Sequence, residues 1–338
     1  MTFYFAASEI ESVTTVGGNI FSDALDIDSD FQRAGMVVAS GTGSDGTTNP
    51  RNGIIAEMSS NVTEAWLHFI VIFPPLGSAT DRQFFELRDD VGGVGVFRFD
   101  QENGSLEFEV NESGSYVNQG ASYPLPSDSE LQVDVHVVLD TGANTGTIDV
   151  FFDKVAVASY SGSIDASLTG MDTMLFTSVR PGAAGNSTNT RFREIIVSSD
   201  QTTEMRLATL NVDGAGTENT FATGTFTDVD DIALDDGTVV SSDTVAQRIA
   251  MSLSDLTANA QLLNPLAVVV GARMRNSGGG PTNMKIGLKT SSGDVLSANK
   301  ALSAGYDAYF EVFETNTATV ADWTIADINA MELLLESG

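Results

Sequence analysis

The stretch from Leu131 to Tyr160, LQVDVHVVLDTGANTGTIDVFFDKVAVASY, leaves few folds open to this chain. Leu131, Val133, Val135, Val137 and Leu139 alternate with Gln132, Asp134, His136 and Asp140. Successive side chains of a strand point to opposite faces, so this is a strand with one face buried and the other toward water. The Thr-Gly-Ala-Asn-Thr-Gly loop turns the chain into a second strand with Ile148, Val150 and Phe152 on one side. Asp153 and Lys154 then form a two-residue hairpin connection into a third strand, Val155 to Tyr160. Three antiparallel strands in succession make a sheet.

The pattern recurs upstream and downstream. EAWLHFIVIFPP reads as a strand buried on both faces in its second half and stopped by Pro74 and Pro75. RQFFELRDD, VGVFRFD and SLEFEVNES follow as strands, the last two joined through Asn103-Gly104, a strong hairpin signal. SIDASLTGMDTMLFTSVRP and TRFREIIVSS add two more, while residues 1 to about 60 read as an edge region with long loops. About a dozen short strands in roughly 200 residues exceed a minimal immunoglobulin sandwich and suit a large jelly roll.

A length of 338 residues fits two domains. Large apolar residues become sparse between Thr202 and Thr244, which places the boundary near residue 207 and gives domains 1–207 and 208–338. Alternation then returns at Ile249, Met251 and Leu253, at Leu266, Val268, Val270 and Ala272, and at Ala308, Phe310 and Val312. Thr324 with Asp327 three residues later is a helix N-cap signature, and ELLLE closes the chain as a strand. The expected fold is therefore all-β: a jelly-roll sandwich followed by a smaller β-sandwich with one short helix.

Lys plus Arg total 16 against 46 Asp plus Glu, a formal net charge of −30. A negative surface excludes binding to a phosphate backbone and disfavours anionic lipid, while a saline setting that screens self-repulsion suits it. With no cysteine, disulfides and thiolate metal sites are ruled out. No segment approaches the about 20 apolar residues of a membrane span, so no membrane insertion is expected. MTFYFAASEIE lacks the basic flank of a signal peptide, from which a soluble product released by another route is expected.

No residue constellation declares a chemistry. His68 and His136 are the only histidines, both within strands, and read as structural. Glu107 and Glu109 share one strand face, as the carboxylates of a glycoside hydrolase do, but read as a solvated face opposite Leu106, Phe108 and Val110. Asp26, Asp28 and Asp30 have the spacing of a calcium loop without its turn glycine or terminal glutamate, and the acidic run at Asp228 is likewise out of register. Arg273 and Arg275 read as a surface pair balancing acidic loops. Gly278-Gly279-Gly280 lacks the Lys-Ser or Lys-Thr of a phosphate loop, and no Gly-x-Ser-x-Gly elbow exists. The expectation is a chain with no catalytic residues, not an enzyme.

The strand ending in Asp140, with its loop and the FF-Asp-Lys hairpin, resembles concanavalin A-like and laminin G-like lectin domains, with Asp153-Lys154 where their turn often reads Asp-Gly. The second half, through DDGTVVSSDT, GARMR, NSGGGPTN, Tyr306, Phe313 to Thr315, Trp323 and the Ile325-to-Glu332 segment, resembles structural proteins of tailed bacteriophages. Together these imply a non-enzymatic virion component on the particle exterior, a tail-tip or tail-fibre protein made in the host cytoplasm. Its partners would be other virion proteins and a host surface polysaccharide, and its working form a homo-oligomer, most simply a trimer. A capsid decoration or head-fibre protein is the alternative, and a glycan hydrolase a third reading. A glycan contact needs aromatic faces, which singles out Tyr116, Tyr123 and Trp66 as binding residues. No cofactor is expected. Jelly-roll lectins hold calcium through scattered loop oxygens, so a Ca2+ site stays open with no ligands assigned.

Overall fold

The computed structural model describes residues 1–7, 14–16, 20–28, 33–39, 53–73, 82–90, 93–102, 105–124, 130–179, 189–230 and 236–338. The chain divides into two compact units, one made mainly of residues up to Arg206 and one mainly of Leu207–Gly338. Both are built from antiparallel strands, and among the described residues the protein is all-β apart from one short α-helix and two 3-10 turns.

The first unit opens with β1 (Phe3–Ala7), β2 (Thr14–Val16) and β5 (Gly53–Val62); between the last two the chain forms β3 (Ile20–Asp28) and β4 (Arg33–Ala39), of which Ser22–Ala34 groups with the second unit. Next come β6 (Glu64–Ile72), β7 (Arg82–Arg88), β8 (Gly95–Glu102), β9 (Ser105–Glu112) and β10 (Ser115–Pro124). It ends with β11 (Glu130–Asp140), β12 (Thr145–Phe152), β13 (Val155–Ser163), β14 (Met171–Val179) and β15 (Asn189–Ser198). One sheet has the order β13-β12-β11-β6-β15-β4-β3, with β1 also paired to β15; the other has the order β10-β9-β8-β7-β14-β5-β2. The expected meander is the β11-β12-β13 end of the first sheet, and positive φ at both Asp153 (46°) and Lys154 (69°) gives the hairpin its tight turn.

Aromatic side chains join the inner faces of the two sheets. Phe69 stacks on Phe85 at 4.9 Å between ring centroids and meets Phe176 edge-on at 5.3 Å, and Phe99 reaches Phe152 at 6.3 Å. Such contacts make the pair of sheets a jelly-roll-like sandwich around a phenylalanine-rich core.

The outer face of β11 departs from expectation. Gln132 and Asp134 were expected to face water, yet Asp134 is 0% exposed and Gln132 is buried. The cause lies far along the chain, where Thr202 Oγ1 donates to Asp134 Oδ1 at 2.8 Å and Gln132 Nε2 donates to Asp134 Oδ2 at 2.7 Å and to the Thr203 carbonyl at 2.9 Å. His68 lies beneath with Nδ1 2.9 Å from Asp134 and Nε2 3.5 Å from Glu194, whose other oxygen meets Arg206 at 3.2 Å. Glu194 holds φ at +49°, at the irregularity where β15 slips against β6 between Arg193 and Ile196. Both ring nitrogens of His68 therefore face carboxylates, and its role is structural.

The second unit contains β16 (Val212–Asn219), β17 (Arg248–Leu253), β18 (Val268–Met274), β19 (Asn283–Thr290), β20 (Gly293–Leu296), β21 (Lys300–Ala301), β22 (Asp307–Phe313) and β23 (Glu332–Ser337). One sheet has the order β16-β17-β23-β19-β20 with β21 also on β19, and β18 pairs separately with β22. Ile249, Met251, Ile286, Leu288 and Leu335 pack with Val270, Phe313 and Trp323 into its core. The helix α1 (Ile325–Ala330) starts where expected, with Thr324 accepting from the Asp327 amide and Asp327 answering at the Thr324 amide, each at 3.1 Å. Two details differ from the sequence reading. Strand β16 runs through the stretch read as apolar-poor, because Gly216 lies so close to Ala250 that a Cβ would meet its carbonyl at 2.5 Å. Leu266 falls outside β18 and is exposed.

Candidate functional site

Alternation on β8, β9 and the part of β7 past its irregularity between Gln83 and Phe85 sends phenylalanines inward and polar side chains outward. Phe85 and Leu87, Phe97 and Phe99, and Leu106 and Phe108 are buried in the sandwich. Glu86 and Arg88, Arg98 and Asp100, and Glu107 and Glu109 therefore share the opposite face. Register aligns them in rows across the strands: Glu86 faces Arg98, Arg98 faces Glu109, Glu109 faces Asn118 on β10, and Asp100 faces Glu107.

Arg98 is the hub. Its Nε donates to Glu109 Oε2 at 2.5 Å, its Nη2 lies 3.1 Å from Asp100 Oδ2, and its guanidinium sits 4.2 Å over the centre of the Tyr116 ring. Tyr116 hydroxyl donates to Glu86 Oε1, and Glu86 Oε2 accepts from Arg88 and from Gln83, both at 2.7 Å. Asn118 donates to Glu107 at 2.5 Å. Gly95 makes room for this arrangement, since a Cβ there would stand 1.7 Å from the Tyr116 hydroxyl. The solvated face expected around Glu107 and Glu109 is instead a half-buried lattice of charges.

Within the lattice Asp100 stands apart. Its Oδ1 is buried and without a hydrogen-bond partner. Burial pushes its carboxyl up to about 6; Arg98 pulls it down, and Glu109, Glu107 and Glu86 push it further up. Tyr116 is raised far above the usual phenol range, first by burial and then by the Glu86 carboxylate, so it remains a hydrogen-bond donor. A carboxyl that keeps its proton up to about pH 6, opposite a carboxylate group held by Asn118, is the division of labour that acid–base chemistry requires.

The three aromatic residues singled out in the sequence do not converge. Tyr116 belongs to the charged lattice. Tyr123, further along β10, meets Phe152 edge-on at 5.3 Å. Trp66 lies in the other sheet, stacked on His136 at 4.5 Å and beside Phe151 at 5.6 Å. Glu86, Arg98 and Asp100 escaped the sequence reading, although their alternation with phenylalanine in RQFFELRDD and VGVFRFD carried the signal.

Elsewhere the candidates take structural roles. His136 Nε2 lies 3.3 Å from Glu64. Arg273 holds Asp236 with two hydrogen bonds of 2.9 and 3.1 Å, the surface balancing expected of it, and both Arg273 and Arg275 lie over the Tyr306 ring. Asp228 caps a 3-10 turn by accepting from the Thr225 amide at 2.8 Å, whereas residues 231–235 of that acidic run lie outside the described residues. Asp30 and the side chains of Asp26 and Asp28 also lie outside them. Among the described residues no group of three or more His, Asp or Glu is arranged to hold a metal ion.

No protein-family model and no curated protein matches the chain by sequence. Among solved structures, the cellulose-induced protein Cip1 aligns with a TM-score of 0.42 at 14% identity, over 58% of this chain and 91% of its own. The alginate lyase vAL-1 from Chlorella virus aligns with a TM-score of 0.41 at 10% identity, over 55% and 93%. An endo-β-1,4-glucuronan lyase from the fungus Trichoderma reesei aligns with a TM-score of 0.40 at 10% identity, over 59% and 96%. These matches correct two expectations. Where a non-enzymatic tail or fibre component was expected, the neighbours include polysaccharide lyases, and the reading of the chain as no enzyme falls with it. Likenesses this distant carry neither residue roles nor a substrate across.

Proposed function

We propose that the first unit is a carbohydrate-active enzyme that cleaves a glycosidic bond on the outer face of β7–β10. The observation that carries this reading is the opposed pair Asp100 and Glu107. Directly opposite residues of an antiparallel pair have Cβ atoms about 4.5–5.5 Å apart, close enough for two carboxyl groups to flank one bond. Asp100, protonated up to about pH 6, gives its proton to the leaving oxygen. Glu107, to which Asn118 donates, supports the developing positive charge at the sugar or attacks its anomeric carbon. Tyr116 and the exposed Asn118 extend the same face along β10, which suits an extended chain.

The names of the solved structures accord with action on polysaccharide, but the reading stands on the two carboxyl groups. Its test is the full chain incubated with a panel of neutral, amino-bearing and uronate polysaccharides. Two products are followed, reducing ends from any cleavage and the ultraviolet absorbance of an unsaturated uronate from elimination. Asp100→Asn and Glu107→Gln serve as controls. Release of new chain ends that both variants lower by about a hundredfold or more supports the assignment. Equal release by wild type and both variants overturns it.

A further inference from the structure

The charge pattern of this face goes on to specify the chemical class of its substrate, an inference that rests on reading the face as a glycan-cleaving site. Four carboxyl groups, Glu86, Asp100, Glu107 and Glu109, share it with two guanidinium groups among the described residues. Arg88 is held by Glu86, and Arg98 is divided between Glu109 and Asp100. A uronate unit needs a cation or amide to neutralise its carboxylate, and here both cations already face protein carboxylates. Meanwhile the buried Oδ1 of Asp100 has no hydrogen-bond partner in the fold and, with Oδ2 taken by Arg98, is the oxygen left to present the acid's proton to a substrate. A substrate carboxylate placed beside it would stand against Glu107 and Glu109, like charge against like; a sugar oxygen accepting from Asp100, or an ammonium group facing Glu107, would complete the lattice.

We infer that the face takes a glycan without carboxylate or sulfate groups, a neutral or amino-sugar chain whose glycosidic oxygen accepts a hydrogen bond from Asp100. Cleavage is then by water, since elimination requires the acidic hydrogen beside a uronate carboxylate. The C–O bond to the leaving sugar breaks, Asp100 supplies the proton to the departing oxygen, the hydroxyl of water ends on the anomeric carbon, and water's remaining proton restores Asp100.

The experiment is affinity electrophoresis of the full chain through gels containing a neutral β-glucan, chitosan or alginate, with product release measured separately on the same samples. Retardation by the neutral or the amino-bearing chain, at least about tenfold stronger than by alginate, is expected. Glu109→Gln, which leaves Arg98 one carboxylate fewer, should narrow that preference by about tenfold by strengthening alginate binding. Preference for alginate in the wild-type protein, or retardation by none of the three, overturns the inference. Retardation by a neutral chain without product release sustains the substrate class and tells against the enzyme reading, so the two fail separately.

Discussion

Asp100 on β8 and Glu107 on β9 stand directly opposite each other, and only Asp100 also carries a buried oxygen that nothing satisfies. A fold gains nothing from that arrangement. Raising a carboxyl from 3.8 to about 6 means that the folded protein binds the proton more tightly than the unfolded chain. Stability is therefore lost as pH rises between those two values, and the cost is complete above about 6.

Replacing Asp100 by Asn removes that cost. The variant should be more stable than wild type at pH 7 by ~2–3 kcal/mol, with the gap closing below pH 4, while glycan cleavage is lost. Urea denaturation at several pH values measures the first effect and a reducing-end assay the second. Loss of stability at pH 7 would show that Asp100 serves the fold.

Activity should follow the same proton. With Asp100 as the acid, kcat/KM falls as pH rises through about 6, and the falling limb disappears in Asp100→Asn along with the activity. A profile flat between pH 5 and about 8 would assign the acid elsewhere.

Gly95 tests whether Tyr116 must sit where it does. In Gly95→Ala the new methyl group and the Tyr116 hydroxyl cannot both keep their places, so Tyr116 leaves Glu86 and Arg98. The expected result is a loss of about 1–3 kcal/mol from the stranded Glu86 carboxylate, together with reduced cleavage. Tyr116→Phe keeps the ring over Arg98 and should lose the hydrogen bond alone.

The segment Thr202–Arg206 belongs to the first unit by its bonds to Gln132, Asp134 and Glu194. A fragment 1–206 should fold, whereas 1–198 should not, because Asp134 and Glu194 are then buried or exposed without their partners. Breaking such a buried set costs about 3–5 kcal/mol, a large part of a domain's stability. Circular dichroism and amide-proton dispersion on the two fragments make the comparison.

Much of this fold is written in local alternation. The β11-β12-β13 meander, the phenylalanine faces of β7–β9 and the capping box at Thr324 are all properties of short windows, and a window is what a sequence displays. The site is different, because it is made by register. Glu107 and Glu109 were visible as a pair on one strand, but Arg98 and Glu86 become their neighbours only once β7, β8 and β9 are aligned. The burial of Asp134 is equally hidden, since Thr202, which bonds to it, lies 68 positions downstream. Aromatic residues chosen for their chemistry alone, Tyr116, Tyr123 and Trp66, fell on three different surroundings for the same reason.

Trp323 offers a last test, in the second unit. Tyr306, Phe313 and Trp323 were the residues most specific to the resemblance drawn from sequence, and two of them have a plain physical role. Trp323 is buried at 3% exposure, and its Nε1 donates to the Phe313 carbonyl at 2.7 Å, at the end of β22. That bond ties the loop before α1 to the strand pair β18-β22, and the indole fills the core beside Ile328. A buried carbonyl deprived of its donor costs about 1–3 kcal/mol, and the smaller phenyl ring leaves a gap besides. Trp323→Phe should therefore lower the unfolding midpoint of the second unit while leaving glycan cleavage by the first unit unchanged. Tryptophan fluorescence then reports Trp66 alone, so the first unit can be followed by emission and the second by calorimetry. A variant as stable as wild type would mean that the Phe313 carbonyl finds another donor and that the bond is dispensable.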